Sequence, residues 1–167
     1  MHLLAAQPGG IDDGSEAIDL GQTPGDIVVI TAADTEIACL AAAQARRLAD
    51  AMDGVDAPSL RCANLMHLGH NFSVDLYVEE IVGKARFVLC RLLGGRSYWT
   101  YGTDEVATAC KANGIPVVFL PGDDKPDIEL RDLSTVPDDI YTDLWEYFLQ
   151  GGIDEVGIDE VGLDEVD

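Results

Sequence analysis

The stretch Arg86-Phe87-Val88-Leu89-Cys90-Arg91-Leu92-Leu93, followed at once by Gly94-Gly95-Arg96-Ser97-Tyr98-Trp99-Thr100-Tyr101-Gly102, decides the fold. Its centre, Phe87 to Cys90, is a continuous apolar run and not an alternating one. A strand of that kind is covered on both faces, as strands of a parallel sheet are. The glycine pair then breaks the strand. Thr103 predicts a helix cap, with Asp104 and Glu105 in the first turn, where carboxylates oppose the positive end of the helix dipole. Asn113-Gly114 predicts the end of that helix. Strand, turn and helix in this order form half of a βαβ unit.

The same alternation extends in both directions. Towards the carboxyl terminus, Ile115–Leu120 predicts a strand bounded by Pro121-Gly122. A polar linker, Asp123–Val136, leads to an amphipathic helix over Pro137–Gln150, carrying Ile140, Tyr141, Leu144, Trp145 and Phe148. Towards the amino terminus, Val74, Tyr77, Val78, Ile81 and Val82 keep helical spacing, with Ser73 as the expected cap and Gly83 as the stop. A loop, His67–Phe72, separates this helix from a strand over Leu60–Leu65. An alanine-rich helix precedes it, running to Met52 from a capping pattern, Thr31-x-x-Asp34. Asp26–Thr31 is a β-branched strand, and His2–Ala6 reads as another. The nineteen residues between them, Gln7–Gly25, form a long polar loop of the kind that often carries function.

The expected fold class is therefore α/β: a doubly wound, mainly parallel five-stranded sheet, Rossmann- or flavodoxin-like, with helices on both faces. Residues 1–150 make one head domain of that kind. Residues 151–167 repeat Gly-Ile/Leu-Asp-Glu-Val in three pentads, with seven acids and no base. Three short copies cannot bury a core, so disorder is expected there. Two readings stand for this tail: an acidic docking element, or an end with no selected role.

The net charge of −21 leaves no basic surface for nucleic acid or an anionic membrane. No apolar run is long enough to span a bilayer, and Met1–Ala6 lacks the basic start of a signal peptide, which predicts a cytoplasmic protein. Cys39, Cys62, Cys90 and Cys110 form no C-x-x-C pair and sit in apolar stretches, so they read as core residues.

Ligands of open α/β sheets bind at the carboxyl ends of the strands, which is where Gly94–Gly102 falls. Gly94 and Gly95 allow close backbone approach, while Tyr98, Trp99 and Tyr101 offer flat faces. Arg91 and Arg96 suit carboxylates through bidentate forks. Such a set fits a broad, flat ligand with acid groups on its rim; it also fits a turn whose aromatics cover the sheet edge. No dinucleotide fingerprint and no phosphate loop occurs, so this chain is expected to bind no nucleotide. His67-x-x-His70 is a weak candidate for metal ligation, since a loop pair without a third ligand also reads as ordinary surface histidines.

The stretches His2–Gly14 with Leu20–Asp26, Ser73–Val78, Arg91–Trp99 and Leu120–Asp127 resemble, in matching order, the amino-terminal region of the cobaltochelatase large subunit. That family is related to the large subunit of magnesium chelatase, and its members are much longer than this chain. The resemblance implies a fragment serving aerobic cobalamin biosynthesis. It implies a tetrapyrrole substrate, hydrogenobyrinic acid a,c-diamide, with Co(II) as the inserted metal. It implies two AAA-type ATPase partner subunits that hold Mg-ATP. It carries over no catalytic residue to this stretch, so the fragment alone is expected to contribute substrate contacts without inserting metal. The alternative expectation is a non-catalytic module that docks onto other chelatase subunits.

Overall fold

The computed structural model describes residues 16–51 and 57–150. Every residue of Ile27–Thr31 is β-branched, which favours extended backbone, and all five are buried in strand β1. It pairs in parallel with β2 (Leu60–Asn64) on one side and β3 (Phe87–Leu92) on the other. Strand β4 (Val117–Pro121) adds in parallel beyond β3. The order β2-β1-β3-β4 is flavodoxin-like winding, and the chain reverses its direction across the sheet between β1 and β3. The described residues thus contain a four-stranded sheet, not the five strands expected. The expected strand His2–Ala6 and the tail 151–167 lie outside the described residues.

The apolar run of β3 divides between the two faces, as strand geometry requires. Val88, Cys90 and Leu92 join Val28, Ile30 and Phe119 beneath α2 (Asn71–Glu80), α3 (Thr100–Asn113) and α4 (Ile128–Leu133). Phe87 and Leu89 join Ile27, Val29, Val118 and Leu120 beneath α1 (Asp34–Asp50) and α5 (Asp138–Leu149). Helices on both faces complete the doubly wound layering. Side chains hydrogen-bond to both edge strands. On β4, the Val117 N–H donates to Thr135 Oγ1 and the Phe119 N–H to Ser134 Oγ, while Tyr141 Oη donates to the Phe119 carbonyl. On β2, Gln22 Nε2 donates to the Cys62 carbonyl (2.8 Å).

Three expected helix starts move. Ser73 lies buried inside α2 with its Oγ accepting from the Ile18 N–H (2.7 Å), so His70 caps the helix through Nδ1. Thr31 Oγ1 accepts from the Ala33 N–H and donates to Glu36 Oε2, and α1 begins beyond it at Asp34. Thr103 is buried within α3, which starts one turn earlier at Thr100. The linker Asp123–Val136 contains α4, capped by Asp127 Oδ1 accepting from the Leu130 N–H.

Residue Asp26 ties the entry of β1 to that of β2. Its carboxylate accepts from the Ser59 N–H (2.9 Å) and Ser59 Oγ (3.1 Å). The backbone donor of Ser59 is the main reason its pKa falls below the ordinary 3.8. A lowered carboxyl pKa gives stabilisation that is complete above pH 3.8 and fades as the pH drops through the folded value. Urea unfolding is therefore expected to show Asp26→Asn less stable than the parent at about pH 6, with the gap narrowing at about pH 3.

Candidate functional site

The turn after β3 carries most of the expected site. Gly95 adopts φ 74°, a left-handed conformation that favours glycine, and a Cβ there would stand 3.0 Å from Asp127 Oδ2. The following residues, Arg96–Trp99, make one 3₁₀ turn leading into α3. That turn sends its two aromatics in opposite directions. Trp99 points inward: it is 8% exposed, and its Nε1 donates to the Leu68 carbonyl (2.9 Å). The indole lies where α3 has no side chain, because a Cβ on Gly102 would fall 1.9 Å from Trp99 Cε2. Tyr98 points outward at 49% exposure, with its hydroxyl 3.7 Å from Met66 Sδ. Tyr101, one turn on, donates from its hydroxyl to Asp75 Oδ1 (2.6 Å). That hydrogen bond is the leading cause pushing the phenol up to about 12, so Tyr101 remains a protonated donor at neutral pH.

Met66, Phe72, Tyr98 and Tyr101 are half of the eight large apolar side chains exposed among the described residues. They fall in two neighbouring groups, Met66 with Tyr98 and Tyr101 with the Asp75 and Phe72 side of α2. Tyr98 meets Met66, Tyr101 meets Asp75, and Asp75 stands three residues after Phe72 on α2, where side chains share a face. Both groups lie beside the carboxyl ends of the strands. Sequence reasoning missed Met66 and Phe72: Met66 falls between the expected strand Leu60–Leu65 and the expected loop His67–Phe72, and Phe72 ends that loop, so neither carries a periodic signal.

The two arginines already have partners. Arg91 lies on the α1/α5 side of β3, where Nη1 pairs with Glu36 Oε1, Nη2 donates to the Gly122 carbonyl (3.1 Å), and the guanidinium stacks 5.2 Å from the Phe148 ring centre. Side-chain exposures of 12% for Arg91 and 17% for Glu36 make this a largely buried ion pair, set where the winding reverses between β1 and β3. Arg96 forks onto Asp104 (2.9 and 2.8 Å) and reaches Glu129 (3.4 Å). The Asp104 hydrogen bond is the first cause raising the Arg96 pKa.

The two metal candidates have different surroundings. His70 Nδ1 is occupied as the α2 cap, and His67 lies exposed in the 3₁₀ turn Leu65–Leu68. Among the described residues, no group of three or more His, Cys, Asp or Glu side chains is arranged to hold a metal ion. The four cysteines are free, and burial pushes the Cys62 thiol up to about 11 and Cys110 up to about 12. Burial also raises Cys90 well above its ordinary value. Cys90 and Cys110 are fully buried, and Cys62 packs partly against the core. Among the described residues, no helix is long and apolar enough to cross a membrane.

Over 154 residues, 92% of its length, the chain is 49% identical to the aerobic cobaltochelatase subunit CobN of Sinorhizobium sp. The chain matches a fragment of CobN. CobN of Pseudomonas aeruginosa is 43% identical over the same number of residues. The chain spans 12% of the length of each of these CobN subunits. The catalytic subunit of cobaltochelatase from Mycobacterium tuberculosis superposes with a TM-score of 0.53 at 24% identity, covering 74% of this chain and 9% of that one. That likeness supports the α/β fold of the CobN segment. No family model matches the sequence.

Proposed function

We propose that this CobN segment serves a cobaltochelatase as a non-catalytic docking module, using the surface of Met66, Phe72, Tyr98 and Tyr101 to pack against the remainder of a CobN subunit. The observation that carries the reading is the exposed contact of Tyr98 with Met66, beside exposed Tyr101 and Phe72, on a chain spanning 12% of its relatives. Exposed apolar clusters mark interaction sites, and aromatic anchors dominate their energetics. The pairing of Arg91 with Glu36 and of Arg96 with Asp104 within the chain agrees with this reading.

The complete enzyme, on this reading, inserts Co(II) into hydrogenobyrinic acid a,c-diamide during aerobic cobalamin biosynthesis, in the cytoplasm. ATP hydrolysis belongs to AAA-type partner subunits. The test is calorimetric titration of this chain into a CobN polypeptide lacking the matching segment. Tyr98→Ala and Phe72→Asp are expected to weaken association by about tenfold or more, with melting temperatures unchanged because both side chains are exposed. Equal affinity for parent and variants would refute the assignment.

A second reading, direct contact with the tetrapyrrole, is favoured by the place of this surface at the carboxyl ends of the strands. Tyr98 and Tyr101 would supply the flat faces, Gly94 and Gly95 the close backbone, and Arg96 the cation. Arg91 and Trp99 would stand behind them, one held by Glu36 and the other by Leu68. Quenching of intrinsic fluorescence by the substrate, lost in Tyr98→Ala, would favour this reading over docking.

A further inference from the structure

A separate concavity of about 630 Å³ opens between α3 and α4, lined by Arg96, Asp104, Ile128, Glu129, Asp132 and Leu133. Its size falls within the range of binding pockets, roughly 300–1,000 Å³. Its chemistry is mixed. Ile128 is 78% exposed, the highest value among the exposed large apolar side chains of the described residues, while Leu133 packs partly against the core. Three carboxylates face one guanidinium, and Arg96 engages only two of them, Asp104 and Glu129. Asp132 is exposed at the rim.

We infer that this groove docks a cationic amphipathic helical segment of another polypeptide, its apolar side chain seated between Ile128 and Leu133 and its lysine or arginine on Asp132. Charge complementarity selects this occupant. The lining keeps two uncompensated negative charges, on a chain whose net charge of −21 attracts cations and repels acidic segments. Arg96 already shows how a guanidinium is held here, forked on Asp104 and touching Glu129.

The groove is also preformed. Leu130 anchors α4 in the core at 0% exposure, Asp127 caps its start, and Ser134 Oγ donates to the Leu130 carbonyl (2.9 Å) at its end. Arg131 stacks 4.8 Å from the Tyr141 ring centre and pairs with Asp138, which pins the opposite side of the helix. A rigid wall spares the ordering cost of binding. The inference does not depend on the aromatic surface proposed above, because Met66, Phe72, Tyr98 and Tyr101 take no part in it.

Fluorescence anisotropy of this chain with a labelled helical peptide of about 15 residues tests it, the peptide carrying leucines at i and i+4 flanked by lysines. A matched peptide with glutamate for lysine is the control. Expected is binding of the lysine peptide alone, weakened about tenfold by Ile128→Asp and by Asp132→Lys, and weakened by added salt. Both positions are exposed, so an unchanged melting temperature verifies folding of the variants. Equal binding of the two peptides would overturn the inference. So would an unchanged affinity in Ile128→Asp, or no binding of the lysine peptide up to about 1 mM.

Discussion

Gly102→Ala is expected to lower the unfolding free energy by about 3 kcal/mol, the upper end of ordinary overpacking. The added methyl would enter the Trp99 indole, 1.9 to 2.3 Å from three ring atoms, on a buried turn of α3. The indole belongs to the core shared by α2, α3 and the sheet, which resists its displacement. Thermal unfolding should shift down by roughly 6–12 °C for a chain of this size. The pair Trp99→Leu with Gly102→Ala should be markedly less destabilised than the two single effects summed, because the smaller side chain clears the clash. The loss should also reach the surface. Trp99 closes the Arg96–Trp99 turn that presents Tyr98, so Gly102→Ala should weaken docking more than its exposed neighbours suggest.

Glu36→Gln is expected to destabilise the chain by about 2 kcal/mol, below the full figure for a buried pair because both side chains retain some exposure. The loss leaves the Arg91 guanidinium largely buried with one carbonyl and one aromatic face for company. Replacing Glu36 and Arg91 together with methionine should recover much of the stability. Urea unfolding of the two single variants and the double variant measures the coupling. If Glu36→Gln were as stable as the parent, Arg91 would not depend on that carboxylate and would again be a candidate for an external acid.

The winding was readable because β3 signals it twice: an unbroken apolar centre for two-sided burial, then Gly94-Gly95 and a helix to turn the chain back. The strand Ile27–Thr31 was readable for the same reason, with β-branching at every position. The strand Leu60–Asn64 stands at the sheet edge, partly exposed, and still fell within the expected Leu60–Leu65. The helix α4 was missed because six residues give less than two turns of periodicity, and its cap, Asp127, sits in an acidic linker where one more aspartate carries no signal.

The turn after β3 was legible as a turn, and the contacts of its side chains less so. Trp99 among polar and glycine neighbours looks exposed; only Gly102, a glycine inside a helix, hints that the indole lies across α3. The pairing of Arg91 was foreshadowed by alternation, since Phe87, Leu89 and Arg91 share a face of β3 and that face lies under α1 and α5. A charge on such a face needs a counter-charge, and Glu36 in the first turn of α1 provides it. What no local pattern could give was the meeting of Met66 with Tyr98 across 32 residues of sequence.

Amide hydrogen exchange on this chain, recorded with and without a CobN polypeptide lacking the matching segment, tests docking most directly. Slowed exchange confined mainly to residues 66–72 and 96–102 is the predicted footprint, since those backbones carry Met66, Phe72, Tyr98 and Tyr101. Association that left both stretches exchanging at their free rates, with protection elsewhere on the molecule, would contradict the account.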